Sequence, residues 1–225
     1  MQFPLLLHGL RSNVGCPSGP DGDYLTSVRE IVDFLEVDQY SDHMAVTSLD
    51  GHSLGHLSPV VRTPESLKWV GENIKRVRDC VGVDIVIETI TEPFDVPSST
   101  IPSHEFMISA VQHAECSLLL DVTNVLINSH NRGVNPAKVL DHYPPEYVRQ
   151  IHVAGFETVG DRWIDTHAHA VQREVVDLVA ARLDLADSAV QVTIERDSQI
   201  PALDDLIDEV DGLRWAANGP GCAFS

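Results

Sequence analysis

Side chains able to bind metal close one apolar run after another in this chain. PLLLHG places His8 at its end and YSDHMAV carries His43. DIVIE ends in Glu88, and SLLLDVTN ends in Asp121 and Asn124. VRQIHVAG carries His152, RWIDTHAH carries Asp165 and His167, and VQVTIE ends in Glu195. Packing gives an imidazole or carboxylate little use at such a position. In a barrel of parallel strands, however, the strand ends converge on one mouth, where active sites sit. Nitrogen and oxygen donors without thiolates suit iron or manganese better than structural zinc. Asp165 and His167 lie two residues apart and share a face of an extended segment, so both reach one ion. Asp121 and Asn124 flank a strand-to-loop turn. Glu88 and Glu195 are the last residues of apolar strands.

The remaining histidines have simpler readings. His52 and His56 fall in a loop, His104 and His113 on a predicted helix surface, and His142 in a turn beside Tyr143-Pro144-Pro145. His169 lies near the candidate site without a supporting pattern. His130 belongs to SHNRG, where a left-handed turn around Asn131 and Gly133 accounts for it. Acidic DLIDEVDG reads as a solvated helix face.

Alternating strands and helices must position the donors. After the first strand and a Gly/Pro loop, YLTSVREIVDFLEV sets Leu25, Val28, Val32 and Leu35 on one helical face. A long loop through GHSLGHLSPVVR leads to Thr63-Pro64-Glu65, a helix start with a threonine cap, proline at the first position and an acid in the first turn. Its apolar stripe runs Leu67, Val70, Ile74, Val77, Val81. Further helices are expected near Ser103 to Glu115, from Asn135-Pro136, across VQREVVDLVAARL, and across IPALDDLIDEVDGL. The near-continuously apolar strands between them are those of a buried parallel sheet, so the fold class is α/β. Six such strands can be counted, where a closed barrel has roughly eight.

The 225 residues suffice for a single domain, with residues 216–225 expected as a flexible tail. A formal net charge of −19, from 34 acidic and 15 basic residues, excludes nucleic acid and anionic membrane as partners. No run approaches the roughly 20 apolar residues of a membrane span, and no secretory signal opens the chain. Four cysteines, Cys16, Cys80, Cys116 and Cys222, form no CxxC pair. A cytoplasmic protein with reduced thiols is expected. The terminal CAFS lacks a polybasic partner and is read as a chance match to a prenylation box.

Taken in order, LLLHGL, SDHMAV, LSPVVRTPESL, SLLLDVTNVLINSHNRG, VRQIHVAGF, IDTH and TIERDSQIP span nearly the whole chain. Together they resemble the multinuclear non-heme iron-dependent oxidases, formerly domain of unknown function 692, typified by methanobactin-type peptide-modifying enzymes. The resemblance implies a xylose-isomerase-like, TIM-type (β/α) barrel, here lacking the first two βα units. It places His8, His43, Glu88, Asp121, Asn124, His152, Asp165, His167 and Glu195 on the family's ligand positions. It implies two or three iron ions of mixed Fe2+/Fe3+ state, with dioxygen as co-substrate. The implied reaction modifies a cysteine of a ribosomally made precursor peptide, with a separate leader-recognition protein as a further partner. The chain departs from the family pattern at Thr89, Thr123, Arg132 and Phe156, which surround the ligand positions. No separate acid or base stands out. Six strands leave two sheet edges, so either edges covered by loops and the tail or a homo-oligomer is expected. Two other readings of the donor set remain. One is a redox-neutral barrel enzyme, a sugar isomerase or an endonuclease-IV-like hydrolase. The other is a degenerate barrel that only binds a peptide.

Overall fold

The structure, a computed structural model, describes residues 5–183 and 190–218. It divides into two compact units, the first ending at Leu119 and the second beginning at Leu120.

The first unit opens with β1 (Leu7–His8), α1 (Gly22–Leu35) and β2 (Gln39–His43). A hairpin of β3 (Val46–Leu49) and β4 (His52–Ser58) follows. Then come α2 (Pro64–Val81), β5 (Asp84–Glu88), α3 (Ser103–Ala114) and β6 (Ser117–Asp121), whose last residues enter the second unit. The long strands are parallel, in the order β1-β2-β5-β6. Their burial explains the unbroken apolar runs: Ile85, Val86, Ile87, Leu118 and Leu119 are all core residues. Register decides what lies beside what. His8 pairs with Ser41, His43 with Glu88, and Glu88 with Leu119. The metal-binding types thus gather at the C-terminal ends of β1, β2 and β5.

The helices follow their signals. Asp21 caps α1 by accepting from the Asp23 and Tyr24 amides, and Leu25, Val28 and Val32 are buried. Thr63 caps α2 in a reciprocal box with Ser66. That helix stops at Gly82, whose φ of 81° suits glycine.

The second unit contains α4 (Val122–Arg132), α5 (Pro136–Leu140) and β7 (Val148–Ala154). A second hairpin pairs β8 (Phe156–Val159) with β9 (Arg162–Asp165). It ends with α6 (Arg173–Leu183), β10 (Gln191–Glu195) and α7 (Leu203–Asn218). β10 runs parallel to β7, with Thr193 opposite His152 and Glu195 opposite Ala154. α7 continues through Asn218, and residues 219–225 of the expected tail lie outside the described residues.

Three local readings are corrected. The segment read as a loop through GHSLGHLSP contains β4, whose largely exposed, polar surface leaves no apolar pattern to detect. Asp121 and Asn124 do not flank a loop. Asp121 ends β6 and directly caps α4, its Oδ1 accepting from the Asn124 amide at 2.7 Å. Asp165 and His167 do not lie on one extended segment. Asp165 ends the antiparallel β9, and His167 turns sharply with φ of 49°. Among the described residues no helix is long and apolar enough to cross a membrane.

Candidate metal centre

Each unit carries its own group of donors. In the first, the Glu88 side chain is 1% exposed. Its Oε2 lies 3.2 Å from His8 Nε2 and 3.0 Å from His43 Nε2. The two rings meet edge to face at 4.7 Å. This convergence follows from register alone, since β1, β2 and β5 are neighbours. Burial by itself would lower the His43 pKa. Hydrogen bonds and charge from Asp42 and Glu88 outweigh it and push the value up to about 10.

In the second unit, Asp121, His152 and Glu195 bring ligand atoms within 4.8 Å of one another. His152 Nδ1 lies 3.1 Å from Glu195 Oε1. His167 extends the group: its Nε2 is 2.9 Å from Asp165 Oδ1, and its Nδ1 is 3.6 Å from Glu195 Oε2 and 3.0 Å from Asp197 Oδ2. Burial again acts to lower the His167 pKa. Asp165, with charge from Glu195 and Asp121, raises it to about 9. Asn124 is buried on the first turn of α4, where its amide caps onto Asp121.

These donors fit divalent iron or a similar cation. All are nitrogen or oxygen, and carboxylates balance the ion's charge. Asp165 Oδ1 and His167 Nε2 sit 2.9 Å apart and buried, yet neither is aligned in a hydrogen bond. A cation between them would satisfy both. Among the described residues, every close group of three or more potential ligands draws on these residues.

The substituted positions have structural employment. Thr123 Oγ1 donates to the Ala154 carbonyl and accepts from the Ala154 amide, at 3.1 and 2.9 Å, locking α4 to the end of β7. Phe156 stacks on Trp163 at 4.4 Å, and Trp163 stacks on His130 at 3.8 Å with rings parallel to 1°. Asn131 Nδ2 donates to the Trp163 carbonyl at 2.8 Å, and the Trp163 amide donates back to Asn131 Oδ1 at 2.9 Å. This docks the β8–β9 hairpin, and hence Asp165, on α4. The Thr89 amide donates to Leu119, and exposed Arg132 ends α4.

The other histidines stand apart from both groups. His113 contacts Glu72, His169 pairs with Glu157 at 2.8 Å, and His56 bonds within the β3–β4 hairpin. His142 lies in a turn, as expected. Sequence reasoning passed over two acids. Asp42, beside His43 in SDH, is buried and hydrogen-bonded to the His43 amide. Asp197, two residues beyond Glu195, meets His167. Adjacency to a ligand-type residue was the available signal for each.

A family model described as RiPP precursor modification enzyme MbnB/TglH/ChrH matches residues 1–218. A UPF0276 protein of Acaryochloris marina is 33% identical over 208 residues, covering 92% of this chain and 75% of its own length. One from Caulobacter vibrioides is 32% identical over 222 residues, covering 98% and 79%. Among solved structures, a D-tagatose 3-epimerase-like protein superposes with a TM-score of 0.59 at 10% identity, over 96% of this chain and 78% of that one. D-psicose 3-epimerase from Clostridium cellulolyticum gives 0.55 at 13% identity, over 95% and 75%. At such identities the likeness is one of fold. It is the xylose-isomerase-like TIM-barrel class that the family resemblance implies, and α/β as the strand pattern requires.

Proposed function

The chain belongs to the MbnB/TglH/ChrH family of RiPP precursor modification enzymes, and from that premise we propose that it is an iron- and dioxygen-dependent oxidase acting on a cysteine of its precursor peptide. The observation that carries the reading is the donor inventory. Two groups of buried imidazoles and carboxylates, without a thiolate, exceed what one octahedral ion takes. His8, His43 and Glu88 would hold one ion. Asp121, His152, Asp165, His167 and Glu195, with Asn124 on the adjoining helix turn, would hold the remainder of two or three. Bound iron supplies the one-electron chemistry that side chains lack.

The protein's own residues do the rest. Glu88 draws two imidazoles onto one carboxylate oxygen and offsets ionic charge in a site with little water. Thr123 fixes the helix turn that bears Asp121 and Asn124. The His130–Trp163–Phe156 stack anchors the hairpin that delivers Asp165. About three protein donors per ion leave coordination positions open for substrate. The chain's acidity favours encounter with a basic precursor segment. A leader-recognition protein and self-association complete the proposed partners, in the cytoplasm.

Co-expression with a Cys-containing precursor peptide tests this. The expected result is an oxygen-dependent mass change that disappears when the peptide's cysteine is replaced by serine. The same change formed without oxygen, or on the serine variant, would sink the mechanism. Zinc alone after reconstitution with excess ferrous iron would favour redox-neutral chemistry on the same fold.

A further inference from the structure

Glu88 is shared by two imidazoles that are backed by different groups. The far nitrogen of His8, Nδ1, meets the neutral Ser41 hydroxyl at 2.8 Å. The far nitrogen of His43 instead faces a carboxylate, Asp42 Oδ1, at 3.5 Å, close but not aligned in a hydrogen bond. Asp42 is 1% exposed and falls in none of the ligand groups.

Burying an acid so deeply is costly unless donors surround it. Here they do. Asp42 Oδ2 accepts from the Ser12 amide at 2.9 Å and from the Tyr40 hydroxyl at 2.7 Å. Asp42 Oδ1 accepts from the His43 amide at 2.7 Å. Tyr40 is itself steadied by contacts of 3.1 Å with the Ser12 and Tyr24 hydroxyls. The loop after β1 lies directly on this assembly. A methyl group at Gly9 would collide with the Tyr40 hydroxyl and crowd Asp42. Three segments, the loop after β1, α1 and β2 itself, thus converge to hold one carboxylate that lies outside the ligand groups.

A carboxylate at one ring nitrogen keeps the proton there, orients the ring and makes the other nitrogen a better donor. We propose that Asp42 is a positioning residue that sets the tautomer and donor strength of His43, making His43 the strong and His8 the weak imidazole ligand at Glu88. The inference rests on reading His8, His43 and Glu88 as a metal site.

Cobalt(II) binding to the metal-free full-length chain tests it, by calorimetry and by the visible spectrum of the bound ion. Asp42→Asn, which keeps the shape and removes the charge, should weaken cobalt binding by about 10–100-fold. Ser41→Ala should weaken it much less. Nitrogen-15 NMR of the zinc-loaded protein should show the His43 proton on Nδ1 in the wild type and a shifted His43 signal in Asp42→Asn. Should that variant not fold, Tyr40→Phe removes one donor to Asp42 and keeps the ring, and should lower affinity in the same direction by less. If the variant that folds binds cobalt as tightly as wild type and merely melts lower, Asp42 is only a structural support and the proposal falls. A wild-type chain that binds no cobalt would overturn the metal reading, and this inference with it.

Discussion

Single residues divide sharply by what replaces them. Asp121, His152 and Glu195 place ligand atoms within 4.8 Å of one another, so removing one takes a donor from the group that would hold an ion. Asp121→Ala, His152→Ala and Glu195→Ala should each lower iron content, measured by elemental analysis after reconstitution, and abolish peptide modification. His113→Ala and His142→Ala should keep both, since His113 meets an exposed Glu72 and His142 sits in a turn. Full iron in His152→Ala would refute the assignment. The cysteines offer a second test at this scale. Burial pushes the Cys116 thiol up to about 12, the nearby Arg78 charge only partly opposing it. A raised thiol pKa means almost no thiolate at pH 8, and thiolate is the reactive form. Iodoacetamide at pH 8 should therefore label exposed Cys80 in the native protein and spare Cys116, with Cys116 labelling appearing only on denaturation or toward pH 12. Peptide mapping reads both sites.

Elements matter through the few bonds that hold them at the site. α4 is tied to β7 by one hydroxyl, Thr123 Oγ1, which serves both the amide and the carbonyl of Ala154. Thr123→Val keeps the shape and leaves two buried backbone groups without that partner. It should cost about 1–3 kcal/mol in urea denaturation of the metal-free protein. The β8–β9 hairpin depends on Asn131 in a similar way. Asn131→Ala removes both bonds to the Trp163 backbone, two residues before Asp165. Its expected signature is a loss of metal affinity that exceeds the loss of fold stability. Equal metal affinity in mutant and wild type would show that the hairpin holds Asp165 without Asn131.

On the scale of the whole molecule, the six parallel strands counted in the sequence fall short of the roughly eight of a closed barrel, which leaves sheet edges. Among the described residues β1 pairs with β2 and β10 pairs with β7. Unpaired edges invite pairing with another chain. Light scattering coupled to size exclusion should therefore give a mass above the 24.7 kDa of one chain. A single 24.7 kDa species at micromolar concentration would refute association. The net charge of −19 acts at the same scale. Association with a basic precursor peptide should slow as salt rises past roughly 0.15 M, where the screening length falls to about 8 Å.

Much of this was legible before any coordinates. A parallel strand buried on both faces shows as an unbroken apolar run, so DIVIE and SLLLD announce themselves, and an acid ending such a run is conspicuous. Caps and stripes are equally local, which is why α1 and α2 follow their sequence signals. The antiparallel hairpins escaped because their exposed residues carry no apolar period. Asp165 and His167 lie side by side, but through a left-handed turn at His167 that a two-residue period does not reveal. The sequence by itself determined which residues of donor type close which strands. Only the tertiary structure decided their company, setting Glu88 against His43 and His8 and Asp42 behind His43. The reason is physical: periodicity records the geometry of one segment, while partnership depends on register between strands tens of residues apart, which the packing of the sheet and its helices selects.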